Sequence, residues 1–357
     1  MMNEEEVIRL FIKNGYQLSK TALPLVLSNP EQVISELAKI KPRPFFVTEK
    51  HIKGLSLKNT EIKPKILREY ETIKKEIRIE DYVNFLAVSC EKIKSMLLKK
   101  MNKEKIISIN KISSKSNIFS LIGVVREKGD NNIIIEDPSG EICILFDDEL
   151  REKFTELNLD DVIGINCKKI KEKIYAKKLY YPDIASSREI NKTLKETKIA
   201  VLSTALSLKN EDLISYVSQT PNLSTAFVFV GQDEQTINKV SNFNIVKIYK
   251  NSVPKLIQID NIKTLLLPIE FPGFSRHSAN TIDFIISILK RRHITLDPVS
   301  NISDKDFVLD EIPDIIISNL KESGYKNYKG TTIVSNSDPS KVFLIDLKNR
   351  EIEEKNF

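Results

Sequence analysis

Between residues 118 and 181, five runs rich in β-branched and apolar residues follow one another, and a short helical stretch interrupts them after the third. The first run is Ile118 to Val125. A turn at Lys128-Gly129-Asp130-Asn131 leads to Ile133-Ile134-Ile135-Glu136-Asp137, and a turn at Pro138-Ser139-Gly140 leads to Ile142-Cys143-Ile144-Leu145-Phe146. Short apolar runs joined by glycine-containing turns pair as a meander. Asp147 to Leu157 reads as a short helix, with Asp147 as a candidate N-cap whose carboxylate would accept from the first free amides. Asp161 to Cys167 and Lys173 to Tyr181 are the last two strands.

Five strands with a helix between the third and fourth give the order of an OB-fold barrel. Residues 1–40 read as short helices: Val7, Leu10, Phe11 and Ile12 begin an apolar stripe, and Ser28-Asn29-Pro30-Glu31 is a helix entry before Val33, Ile34, Leu37 and Ile40. They form either a small adaptor module or a cap packed on its own chain. Residues 41–70, with Pro42, Pro44 and Pro64, read as a linker with one or two short strands. Residues 71–101 read as helical again.

After Ser186-Ser187-Arg188-Glu189 a second system begins. Strands are expected at Ile199–Leu202, Ala226–Val230, Ile245–Ile248, Lys263–Leu267, Asp314–Ile317, Thr332–Val334 and Val342–Ile345, with helices at Asp212–Val217 and Thr281–Arg292. Apolar strands alternating with helical stretches indicate a layered α/β architecture.

The 357 residues exceed one ordinary core. A hydrophobic fraction of 41% with 29% charged residues is that of a globular chain. The net charge of +6 permits contact with nucleic acid without demanding it. Cys90, Cys143 and Cys167 are far apart, which argues against a disulfide framework or a thiolate zinc site and suits a reducing interior. His51, His277 and His293 are the only histidines, and none sits in a ligand-pair motif, so a histidine-rich metal site is not expected. The start at Met1-Met2-Asn3-Glu4-Glu5-Glu6 is acidic and does not read as a signal peptide. No apolar run approaches the ~18 residues needed to span a bilayer. The expected location is cytoplasmic and nucleoid-associated.

Several segments, in order, resemble the small (B) subunit of archaeal family D DNA polymerase. They are Ile79-Glu80-Asp81-Tyr82-Val83, Gly123-Val124-Val125-Arg126-Glu127 with Ile135 to Gly140, Leu289-Lys290-Arg291-Arg292-His293, Ile312-Pro313-Asp314-Ile315-Ile316, and Asn327-Tyr328-Lys329-Gly330 before Val334-Ser335-Asn336-Ser337. The B-subunits of eukaryotic replicative polymerases are similar in the last two parts. The resemblance implies an N-terminal helical module (1–60), a linker and helix (61–102), an OB-fold (103–185) and a calcineurin-like phosphoesterase-type α/β domain (192–357). The fold class expected is therefore α/β and β.

Active phosphoesterases of that type hold two metal ions on acids and imidazoles at strand ends, where the cations clamp phosphate and activate water. By the resemblance, the first acid and histidine would fall at Thr204 and Leu206, the G-N-H segment at Gly231-Gln232-Asp233, the lone histidine near Leu267-Pro268-Ile269, and the last two histidines at Asn319 and Lys321. These degenerate positions, Thr204, Leu206, Gln232, Asp233, Pro268, Asn319 and Lys321, imply no catalytic residue, no metal and no cofactor. Asp233 and Glu234 read as acids at a helix N-terminus, or as a cation site. His293 reads as a contact to the last carbonyls of its helix, and His277 lies in a loop.

Cys167 to Tyr181 holds six lysines and three tyrosines. Lys168, Lys169, Lys171, Lys173, Tyr175, Lys177 and Lys178 are the DNA-binding candidates, since OB-folds bind single strands by charge and stacking. The other reading is two strands with solvated lysines on one face and buried tyrosines on the other. The resemblance implies a non-catalytic polymerase subunit whose partners are the catalytic large subunit and, weakly and non-specifically, DNA, with no membrane. The alternatives are an active 3′–5′ exonuclease or phosphoesterase and a stand-alone OB-fold protein that binds single-stranded DNA.

Overall fold

The computed structural model describes residues 3–27, 30–53, 64–70, 79–101, 105–113, 116–203, 210–230, 246–250, 253–268, 282–294 and 306–357. The first unit is α1 (Glu4–Lys13), β1 (Gln17–Leu18), α2 (Leu23–Val26), α3 (Pro30–Leu37), β2 (Phe46–Val47) and α4 (Glu49–Lys53). A capping box starts α1: the Asn3 side chain accepts from the Glu6 amide at 2.8 Å, and Glu6 accepts from the Asn3 amide at 2.9 Å. Val7 and Phe11 then face a private core with Tyr16, Val26, Val33, Leu37, Val47 and Ile52.

Next come β3 (Lys65–Glu69), α5 (Ile79–Lys100) and the barrel: β4 (Ile118–Lys128), β5 (Asn132–Asp137), β6 (Gly140–Leu145), α6 (Arg151–Thr155), β7 (Val162–Ile170) and β8 (Lys173–Tyr180). The barrel closes in the order β4-β5-β6-β8-β7, with β7 returning antiparallel to β4. Alternate residues such as Phe119, Leu121, Ile133, Ile135, Ile163 and Ile165 fill its interior, as the period of two requires. The closing contact between β6 and β8 is a single parallel pair, Leu145 with Tyr175.

The remaining elements are β9 (Lys198–Val201), α7 (Glu211–Gln219), β10 (Leu223–Val230), β11 (Val246–Lys250), β12 (Lys255–Ile259), β13 (Ile262–Leu267), α8 (Ile282–Arg291), β14 (Ile315–Ser318), β15 (Gly324–Tyr328), β16 (Thr331–Ser335), β17 (Lys341–Asp346) and β18 (Ile352–Asn356). They build two mixed sheets, β11-β10-β9-β17-β18 and β15-β16-β14-β13-β12-β3. The sheets face each other across Ile199, Val201, Phe227, Leu266, Ile315, Ile317, Val334, Phe343 and Ile345. The intervening residues point outward. Ala200, Leu202, Ala226 and Leu344 meet Leu213 and Val217 of α7, while Leu265, Leu267, Ile316 and Ile333 meet Phe284, Ile285, Ile288 and Leu289 of α8. The result is four layers: helix, sheet, sheet, helix. Strands buried on both faces explain the unbroken apolar runs in the sequence.

Several elements differ from the sequence reading. The stretch from Asp147 is a 3-10 turn at Asp148–Leu150 followed by α6, and Asp147 sits at the cap position without bonding a helix amide. Its carboxylate instead accepts from Lys177 Nζ at 2.9 Å. Short β1, strand β12, edge strands β15 and β18, and helix α4 were not expected; β15 and β18, exposed on one side, lack a long apolar run. Asn327 to Gly330 does precede a strand, β16, which begins at Thr331. It ends β15 and turns tightly into β16, with Lys329 and Gly330 at φ 48° and 81°. Positive φ at both positions is the turn that suits a two-residue hairpin, and glycine adopts it without strain. The strand read within the linker, β3, is built into the far sheet by pairing antiparallel with β12.

Candidate functional site

Three parallel strands of one sheet end in a row. Leu267, Ser318 and Ser335 are in register across β13, β14 and β16, and Pro268, Asn319 and Asn336 follow them. Ser318 donates its hydroxyl to the Leu267 carbonyl at 2.6 Å. The Asn336 amide donates to the Val201 carbonyl at 3.0 Å and to the Lys341 carbonyl at 2.8 Å. Val201 belongs to the opposite sheet, so this one buried side chain ties the two sheets together at their strand ends. Ser203, Ser318, Ser335 and Asn336 are fully buried. Ser318 and Asn336 spend their donors on backbone carbonyls, the Ser203 and Ser335 hydroxyls are buried without a hydrogen-bond partner, and hydroxyls and amides are poor seats for a pair of divalent ions, which need carboxylates and imidazoles.

Pro268 and Asn319 are buried in this row, and Lys321 is exposed beyond it. Thr204, Leu206, Gln232 and Asp233, with Glu234 and His277, lie outside the described residues. Among the described residues no group of three His, Cys, Asp or Glu side chains could hold a metal ion. His293 follows α8; its amide donates to the Ile288 carbonyl at 3.4 Å, and its ring meets Phe85 edge-on at 6.4 Å. Sequence reading missed Ser318 and Asn336. Their one signal was a polar residue directly after each apolar strand.

The basic stretch forms the β7–β8 hairpin. A β-bulge opposite Asn166 and Cys167 accommodates Lys177, so both Lys177 and Lys178 stand between inward-facing Ala176 and Leu179. Lys177 pairs with Asp147, a bond that raises its pKa, and Lys169 lies 3.6 Å from Glu172. The Lys178 ammonium lies 4.8 Å from the centre of the Tyr180 ring. Lys168, Lys171 and Lys173 are exposed and have no ion pair among the described residues. Lys168 is in register with Ile118 on one side and with half-buried Tyr175 on the other. The tyrosines do not form a buried face opposite the lysines: Tyr175, Tyr180 and Tyr181 are all half-buried. The outer surface of β5 and β6 is acidic by comparison, with Glu136 opposite Glu141.

The barrel is fastened to the four-layer part by charge. Arg291 of α8 donates through Nε to Asp161 at 2.6 Å, both groups being buried. Burial pushes the Asp161 carboxyl up, and Arg291 opposes that rise. Lys290 pairs with Glu156 at 2.9 Å. Helix α5 lies in the same seam: Ile93 and Leu97, with Met101 just after the helix, pack on Ile122, Val162 and Val308, while Phe85 meets Phe307 edge-on at 5.7 Å. Lys92 holds Asp306 at 2.9 Å and Asp310 at 2.7 Å. Burial alone would push the Asp306 carboxyl up, but the bonds from Lys92 and the Val308 amide, with Arg68 beside them, hold it below the usual range.

No protein-family model matches the chain. Two of the solved structures found by shape illustrate the level of likeness. One is covered completely, with 46% of this chain, at 9% identity and a TM-score of 0.23. The other, YjeQ from Thermotoga maritima, is covered over 52% of its length with 37% of this chain, at 10% identity and a TM-score of 0.16. At those scores neither likeness bears on the fold. No described helix is long and apolar enough to cross a membrane. One curated protein is 21% identical over 205 residues, the DNA polymerase II small subunit of Archaeoglobus fulgidus; the match spans 50% of this chain and 42% of that protein. The chain is thus similar, at the level of a distant relationship, to the small subunit of an archaeal DNA polymerase.

Proposed function

We propose that this chain is a non-catalytic accessory subunit of a replicative DNA polymerase, built from an OB-fold and a calcineurin-like phosphoesterase domain that has lost its metal ligands. The observation that carries the reading is the strand-end row of Ser318, Asn319, Ser335 and Asn336, where two-metal hydrolysis would need acids and imidazoles. The barrel's pairing order supports the OB-fold, and the four layers support the phosphoesterase-type domain. The division follows at residues 1–60, 61–102, 103–185 and 192–357. The catalytic large subunit is the partner, and the fastened barrel and sandwich give it a rigid platform. DNA is a secondary partner at Lys168, Lys171, Lys173 and Tyr175, whose binding is weak and falls steeply with salt.

The test of the non-catalytic half is direct. The pure chain, given manganese and a 5′-labelled single strand, should leave the strand intact. Robust cleavage that survives further purification and is abolished by chelation would replace this reading with an active exonuclease.

A further inference from the structure

The outer surface of the barrel carries one continuous row from four strands. Ile118 of β4 is in register with Lys168 of β7, Lys168 with Tyr175 of β8, and Tyr175 with Leu145 of β6. Their chain neighbours Phe119, Cys167, Ile174, Ala176 and Ile144 are buried in the barrel core, so by alternation these four point outward. Neighbouring strands lie ~4.8 Å apart, which makes the row about 14 Å long. Ile118 is 67% exposed, Lys168 is exposed, and Tyr175 and Leu145 are half-buried.

The two tyrosines of β8 differ in what already holds them. Tyr180 accepts from the Asn166 amide at 3.1 Å, Asn166 accepts from the Ser120 hydroxyl at 2.9 Å, and the Lys178 ammonium covers the Tyr180 ring. Among the described residues the Tyr175 hydroxyl has no hydrogen bond and its ring no aromatic or cationic contact. The lysines beside it, Lys168, Lys171 and Lys173, are exposed and have no ion pair among the described residues. Ile170, 46% exposed, pairs with Lys173 at the end of the hairpin and extends the apolar surface. OB-folds commonly receive oligonucleotides on the second and third strands. Here those strands are β5 and β6, where Glu136 stands opposite Glu141 and Arg126 is spent on Glu136 and Asp160. Phosphates are repelled there and attracted by the other side of the barrel.

We propose that single-stranded DNA crosses the barrel on the β4, β7 and β8 side and not on the β5 and β6 side, with bases laid on Tyr175 and against Ile118 and with phosphates at Lys168, Lys171 and Lys173. The aromatic and aliphatic surface selects an unpaired strand, because unpaired bases present their flat faces whereas a duplex would meet the lysines alone. Every base has such a face, so the row reads the unpaired state and not the sequence. The inference rests on the reading of DNA as a secondary partner, and it adds the face, the unpaired form of the substrate and the stacking side chains.

The probe is a fluorescein-labelled oligothymidylate of about 15 nucleotides, titrated with the full chain by fluorescence polarisation at several salt concentrations, with a duplex of equal length as comparison. The single strand should bind several-fold more tightly than the duplex. Tyr175→Ala should weaken it roughly tenfold at every salt concentration without changing the salt slope, Tyr175→Phe should keep full affinity, and Ile118→Ala should weaken it to a smaller extent, with thermal midpoints checked to confirm folding. A strand carrying 5-iodouridine should crosslink under ultraviolet light to the peptide that contains Tyr175, read by mass spectrometry. Equal affinity for strand and duplex, indifference to Tyr175→Ala, or crosslinks confined to Asn132–Leu145 would overturn the inference while leaving DNA as a partner held by charge alone. No binding of either probe at low salt would remove the partner and the inference together.

Discussion

At the scale of single residues, two side chains matter more than their size suggests. Asn336 reaches from the end of one sheet to carbonyls of Val201 and Lys341 on the other. Asn336→Ala would leave those acceptors buried without a donor. A loss of about 1–3 kcal/mol is expected from the unmet groups, read as a lower urea midpoint with an unchanged slope. Asp306 is the second. A carboxyl held below its ordinary range adds stability above the unfolded-state pKa, and that stability is lost as pH falls through the folded-state value. The gap in urea midpoint between the native chain and Asp306→Asn should be present at neutral pH and narrow as pH falls below the ordinary aspartate value of about 3.9. A gap that does not change with pH would show that Lys92 and Arg68 do not stabilise the ionised form.

At the scale of elements, the seam between barrel and sandwich depends on α8 and α5. Arg291→Ala would strand the Asp161 carboxylate in a buried place, at a cost of about 3–5 kcal/mol. Arg291→Ala with Asp161→Ala should recover part of that loss, which a double-mutant cycle measures. Gly164 permits the close approach of α5, since an added Cβ would fall 2.2 Å from the Met101 sulfur. On the hairpin, replacing Lys168, Lys171 and Lys173 by Glu should weaken single-strand binding and flatten its salt dependence, whereas the same change at Lys177 and Lys178 should do much less. Equal effects would mean that the pairing of Lys177 does not matter. Much of this level was legible in the sequence. The barrel strands showed themselves by period and glycine turns, and the twice-buried strands by unbroken apolar runs. β15 and β18 were hidden because their residues, such as Lys326-Asn327 and Glu353-Glu354-Lys355, face water on an edge. The role of β3 was equally hidden, since its partner β12 lies almost two hundred residues further on and only the folded chain brings them together.

At the scale of the whole molecule, three self-contained hydrophobic systems recur. The helical unit has its own core, the barrel has its own, and the two sheets share one between them and one with each helix. Charged residues and α5 join the last two parts, while the helical unit presents Phe45 at 70% exposure together with Ile12 and Phe46. The chemistry of the site was only partly legible: the scarcity of histidine could be counted, but the lock formed by Asn336 needed the packing of two sheets. The most direct measurement is co-expression of the full chain with the large catalytic polymerase subunit from the same genome, followed by affinity capture and size exclusion at 0.5 M and, roughly, physiological salt. Co-elution of the two chains in one peak at both salt concentrations is the predicted result. Separate elution of the two well-folded proteins under both conditions would contradict the account.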